Sequence, residues 1–162
     1  MLSQRRDADA VRAFIEDMAR ALEGTGTPWI AGAIVGYLCL APDSQASQAE
    51  LAEELGSSVA AISAMVRRLT REGTLERVVV PGQRAARYRL VAGSQLARLD
   101  AAVHASAELV RLAERGLALS GPTVGAGRAY LHEFRDLNQA LGAKISEVRN
   151  AYADRPRRTR RG

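Results

Sequence analysis

The sequence has a single cysteine, Cys39, which excludes an intramolecular disulfide and any zinc site with two or more Cys ligands. Its two histidines, His104 and His132, fall at no metal-ligand spacing, so neither a metal nor a cofactor is expected. Aromatic residues are scarce (one Trp, four Tyr, two Phe), which leaves the core to Ala, Leu, Val and Ile and points to helices. Lysine is almost absent: of 23 basic residues only Lys144 is not Arg. The longest apolar run, Ile30 to Ala41, is 12 residues long, whereas about 20 are needed to span a bilayer. No apolar segment follows Arg5 and Arg6, so no secretory signal is read. The expectation is a soluble cytoplasmic protein that does not engage a membrane. Nor does any Ser–His–Asp or paired-carboxylate pattern stand out. The Gly-rich stretch Gly121 to Gly127 follows a helix rather than a strand and has no P-loop lysine, so an enzyme is not expected.

What is present is 162 residues, 47% apolar and 25% charged, enough for one domain with helical extensions. Charge is unevenly spread. Residues 28–57 carry no Lys or Arg and four acids (Asp43, Glu50, Glu53, Glu54), whereas residues 58–91 carry seven Arg against Glu72 and Glu76. Residues 92–154 balance seven basic against seven acidic side chains, and five more Arg follow from Arg155 onward. A near-neutral body with one concentrated basic segment is the electrostatic footprint of a polyanion site. On charge alone, a solvated Arg-rich face reads the same way.

Periodicity organises the chain. Val11, Phe14, Ile15, Met18 and Leu22 make one apolar stripe on a helix from about Asp7 to Glu23. Thr27 as cap and Pro28 at the first helical position start a second helix to Leu40, apolar all round, in which Gly32 and Gly36 leave a flat strip for a neighbouring helix. Cys39 reads as a small core residue of that helix. After a turn at Pro42 to Ser44, Ser47 and Glu50 have capping-box spacing and open a third helix that Gly56 ends. Ser57 and Ser58 cap a fourth, with Ile62, Met65, Val66 and Leu69 inward and Gly73 at its end. Two short helices joined by a tight Gly-containing turn are a helix-turn-helix candidate. Two β-rich runs, Leu75 to Val80 and Arg87 to Val91, flank Pro81-Gly82 and read as a hairpin.

A long helix follows from Ser94 to Leu119, with Leu96, Leu99, Val103, Ser106, Val110, Ala113 and Leu117 at coiled-coil spacing. A last helix from about Val124 to Ala153 carries Tyr130, Phe134, Leu137, Leu141, Ile145, Val148 and Tyr152 at similar spacing. These flanking faces exceed what one small core can cover, and a second copy of the chain would cover them most simply as a two-fold homodimer. The expected organisation is an N-terminal dimerisation helix (1–27), a compact middle (28–91), C-terminal dimerisation helices (92–154) and a disordered basic tail (155–162).

The residues from Ser47 to Arg89 resemble the winged helix-turn-helix of the MarR superfamily, closest to its GbsR-like branch and to repressors of actinobacterial lipid and drug exporters. The resemblance rests on Gln48 to Gly56, Ser58 to Ser63, Val66 to Leu69, Glu72-Gly73, Leu75 to Arg77 and Pro81 to Arg84, with Gly26 to Gly32 and Gly36 to Leu38 upstream. The wing departs from the commoner family pattern: it reads Gly-Gln-Arg-Ala-Ala-Arg and has no acid for an Asp–Arg brace to the helix. The resemblance implies a mainly α fold, a winged helix-turn-helix with long terminal helices, acting as a ligand-responsive repressor on double-stranded DNA. The rival readings are a winged-helix protein-interaction module without DNA binding, and, further off, a small helical binding or transport protein.

If the fourth helix is the recognition helix, its outward residues are Ala60, Ala61, Ser63, Ala64, Arg67, Arg68 and Arg71. Small residues at its start let it sit deep in a major groove, and Ser57, Ser58 and Ser63 can donate to phosphates. Arg67 suits guanine O6 and N7, while Arg68 and Arg71 suit backbone. The competing role for these arginines is ion pairing with Glu72 or Glu76. Arg84 and Arg87 at the hairpin suit the minor groove. By resemblance, a small apolar, phenolic or lipid-like effector would sit between the DNA-binding lobe and the dimer helices, where Phe14, Met18, Trp29, Ala33, Tyr37 and Leu109 are candidates; plain core packing is the other reading of each.

Overall fold

The structure, a computed structural model, describes residues 2–82, 85–121 and 125–154, with side chains from residue 8 onward. Among these residues six α-helices and three short strands follow in the order α1 (Leu2–Glu23), α2 (Trp29–Leu40), β1 (Gln45–Ser47), α3 (Gln48–Glu54), α4 (Val59–Arg71), β2 (Leu75–Val78), β3 (Arg87–Leu90), α5 (Ser94–Leu119) and α6 (Ala126–Ala153). The chain forms two compact units, Met1–Ser94 and Gln95–Gly162.

In the first unit the glycine strip of α2 receives α1. A Cβ on Gly32 would lie 2.9 Å from the Ala19 Cα, and one on Gly36 would lie 3.2 Å from the Ile15 Cα, so only glycine allows this approach. The first helix therefore packs on the winged-helix body through Ile15 and Ala19, while Val11 and Phe14 of the expected stripe stay 42% and 39% exposed. Pro28 is the cap residue of α2 rather than its first helical residue, and no side chain caps this helix. Cys39 is exposed, not a core residue: Leu38 takes the inward position on the last turn of α2, and partial burial still pushes the thiol pKa up.

The core of this unit joins Ile34 and Leu38 of α2, Leu51 of α3, Ile62, Val66 and Leu69 of α4, and Leu75 of β2. Around it the local signals act as expected. Ser47 Oγ accepts from the Glu50 N–H at 3.2 Å while the Glu50 carboxylate accepts from the Ser47 N–H at 2.6 Å, a complete capping box. Gly73, with φ +70°, ends α4 as Thr74 N–H reaches back to the Leu69 carbonyl, the Schellman arrangement. The sheet order is β1-β3-β2, all antiparallel. Strand β1 was not foreseen; it places Ala46 opposite Tyr88 and Ser47 opposite Arg87.

In the second unit α5 and α6 form an antiparallel pair. Asp100 meets Arg149 at 2.7 Å near one end, and Arg128 donates to the Leu117 and Gly121 carbonyls at the other. Between them Ser106, Ala113 and Asn138 are buried, and Gly142 lies against Ser106. The coiled-coil row of α5 faces this seam. On α6 only Phe134 and Ile145 of the expected stripe are half-buried; Tyr130, Leu137, Leu141, Val148 and Tyr152 are 49–64% exposed.

Candidate nucleic-acid interface

Helix α4 owes its orientation to its own amphipathicity. Ile62, Val66 and Leu69 are at most 2% exposed, which turns Ala60, Ala64, Arg67 and Arg71 outward at spacings of four, three and four. The helix begins at Ser58, whose Oγ accepts from the Ala61 N–H at 3.2 Å. Its hydroxyl proton remains available to a phosphate, whereas the Ser57 hydroxyl is turned inward to the Leu55 carbonyl. Ala61, Ser63 and Ala64 are half-exposed, a low surface that lets a groove wall approach.

The arginines separate into two kinds. Arg67 is exposed and donates to Ser63 Oγ at 3.1 Å, one turn back, so its guanidinium is held over the N-terminal half of α4 without a carboxylate partner among the described residues. Arg71 is exposed and likewise unpaired among them. Arg68 instead closes an ion pair with Glu72 at 2.7 Å, the competing role foreseen for it.

Two arginines of β3 are held by internal partners. Arg87, a sequence candidate for DNA, is only 20% exposed and donates to Glu50 at 3.0 Å and to the Gln45 carbonyl at 3.1 Å. It ties β3 to the capping box of α3 and supplies a wing-to-helix brace that the acid-free wing tip lacks. Arg89 pairs with Glu76 across the β2–β3 ladder at 2.6 Å. The Ser47 N–H first, and then Arg87, holds the Glu50 carboxyl below the usual range despite its partial burial. Arg84 and the basic tail lie outside the described residues. Arg77, which sequence reasoning passed over, is exposed on β2; its place in a basic run was the only signal for it.

The candidate effector residues of the first unit differ in burial and neighbours. Ala33 is fully buried with Ile15 and Ala19, Met18 packs at Gly36, Phe14 is exposed, and Leu109 belongs to the second unit. Trp29 and Tyr37 do line a cavity of about 580 Å³ between α1, α2 and the end of α3. Among the described residues no group of three or more His, Cys, Asp or Glu could hold a metal ion, and no helix is long and apolar enough to cross a membrane.

Known proteins share this arrangement. The model of the MarR family matches residues 25–86, from the head of α2 to the wing. The chain is 31% identical over 142 residues to the HTH-type transcriptional regulator MmpR5 of Mycobacterium tuberculosis, across 88% of this chain and 86% of that protein. The chain belongs to the MarR family. A crystal structure of a transcriptional regulator superposes with a TM-score of 0.73 at 29% identity, covering 90% of this chain and 99% of the other. The protein is thus a MarR-family transcriptional regulator with a winged-helix fold, and α3–α4 is its helix-turn-helix.

Proposed function

We propose that this MarR-family regulator works as a cytoplasmic homodimer, and as a repressor rather than an enzyme. Two copies of α4 enter successive major grooves of a pseudo-palindromic operator, about 34 Å apart. The observation that carries the reading is the outward row Ala60, Ala64, Arg67 and Arg71 on a helix whose opposite face is wholly buried. Arg67 reads a base edge, Arg71 and Ser58 hold phosphates, and Arg84 adds a further contact.

The dimer reading is supported by α6. Tyr130, Leu137, Leu141, Val148 and Tyr152 recur at seven and four residues, and this apolar row is exposed in the single chain. A coiled-coil row left in water is the kind of surface that a second copy covers. A small effector relieves repression by favouring a dimer whose two recognition helices are wrongly spaced, to the extent that it prefers that state.

Salt-dependent gel shift on the DNA upstream of the protein's own gene tests the DNA-binding claim. Each phosphate contact contributes about −0.9 to the slope of log affinity against log salt. A steep slope and a loss of base preference in Arg67→Ala agree with the reading. A flat slope assigns the fold to protein interaction instead, and an Arg67→Ala variant that binds like the parent overturns the assignment of Arg67.

A further inference from the structure

The cavity between α1, α2 and the end of α3 has a chemistry that differs from a lipid or phenolate site. Its more buried surface is apolar and aromatic, formed by Ile15, Trp29 and Tyr37. Around these stand three carboxylates, Glu16, Glu53 and Glu54, against one cation, Arg12. Glu16 is shared with Arg20 at 3.3 Å, whereas Glu53 and Glu54 have no ion pair among the described residues. Their position runs against local helix electrostatics. Both lie in the last turn of α3, where the backbone carbonyls already present the negative end and cations are preferred. A rule broken locally on two adjacent residues that face one cavity marks a site whose missing charge comes from elsewhere. The Tyr37 phenol reports the same field: burial, then Glu54 and Glu50, pushes its pKa above the usual value.

We propose that this cavity binds an organic cation with an aromatic or apolar body. Its charge sits by Glu53 and Glu54, its flat face lies on Trp29, the aromatic ring best suited to cations, and its apolar part lies along Val11 and Ile15. The space, about 580 Å³ and open to solvent on the side of the exposed Glu53 and Glu54, is of the size that holds such a molecule. A fatty carboxylate or phenolate would meet two unpaired acids there. The site also explains how occupancy reaches DNA. Gly56, the left-handed residue at φ +59° that starts the turn into α4, lines the same cavity. A ligand that ties α1 to this turn sets the position of the recognition helix. The proposal deepens the ligand-responsive reading given above and rests on it for its regulatory meaning, but not for binding itself.

Two probes of one shape and opposite charge, tetraphenylphosphonium and tetraphenylborate, test it on the full-length protein. Trp29 is the only tryptophan, so its fluorescence reports the cavity directly. The cation is expected to quench it saturably and the anion to bind at least about tenfold more weakly. The double variant Glu53→Gln, Glu54→Gln should bind the cation about tenfold more weakly with an unchanged melting curve, and Arg12→Ala should bind it more tightly, a gain that no unfolding produces. Equal or tighter binding of tetraphenylborate, absence of saturable quenching, or a double variant indistinguishable from the parent overturns the proposal. Gel shift of the ligand-free protein is the separate arm: loss of DNA binding with cation binding intact sinks the regulator reading and leaves the cavity assignment standing.

Discussion

Arg87→Ala separates a wing that is braced from a wing that touches DNA through this residue. In the structure the guanidinium is 20% exposed and makes two hydrogen bonds, to Glu50 at 3.0 Å and to the Gln45 carbonyl at 3.1 Å. A buried charge-assisted hydrogen bond contributes about 1.5–3 kcal/mol, whereas an exposed ion pair contributes about 0–1 kcal/mol. Glu50 is 45% exposed, so the ion pair belongs toward the lower figure, and the part-buried bond to the Gln45 carbonyl lies between the two. Truncation should cost about 1–2 kcal/mol. For a chain of this size each kcal/mol lowers Tm by about 2–4 °C, so a fall of about 2–8 °C is expected by thermal melting. The salt slope of DNA binding, measured well below Tm, should stay that of the parent. An unchanged Tm together with a slope reduced by about 0.9 would show that Arg87 serves a phosphate, and would refute the brace.

Three further outcomes follow from single contacts. The lowered folded-state pKa of Glu50 means that its contribution to stability is complete above the ordinary glutamate value of 4.5 and is lost as pH falls through the folded value below it. Chemical denaturation should therefore show the gap between parent and Glu50→Gln flat from pH 7 to about 5 and closing in more acid solution; a gap that widens in acid contradicts the assignment. Thr74 Oγ1 is buried without a hydrogen-bond partner among the described residues, so Thr74→Val should stabilise the fold by about 1 kcal/mol, and a loss of stability would mean the hydroxyl is satisfied. Gly32→Val places a side chain on the Ala19 backbone and should cost about 1–3 kcal/mol by urea denaturation, whereas a neutral change would show that α1 does not pack this closely on α2.

Much of the winged helix was legible because its signals are local. The Ser47–Glu50 box, the Ser58 cap, the glycines after α3 and α4, and the Ile62, Val66 and Leu69 stripe are each set by residues within one or two turns. The glycine strip of α2 was also legible, since two glycines a turn apart have few other uses. What escaped was non-local. Three-residue β1 has no period of its own and exists because β3 offers an edge. Nothing near Arg87 in sequence announces Glu50, 37 residues away, and so a braced residue read as a free one. The candidate cavity could be half seen, through Trp29 and Tyr37, but its carboxylates come from both α1 and α3 and its cation from α1. The α6 stripe combined two faces, since a helix that packs on α5 and also presents an outward row shows one broad apolar band in sequence.

Hydroxyl-radical footprinting of the purified full-length protein on the intergenic DNA upstream of its gene tests the central claim most directly. Two protected patches with two-fold related spacing, centred about 10 base pairs apart or a whole multiple of that, are expected for paired α4 helices, and Arg67→Ala should erase the protected pattern's sequence preference. A folded protein that leaves the duplex uniformly cleaved, or protects a single unpaired patch unaffected by Arg67→Ala, would contradict the account.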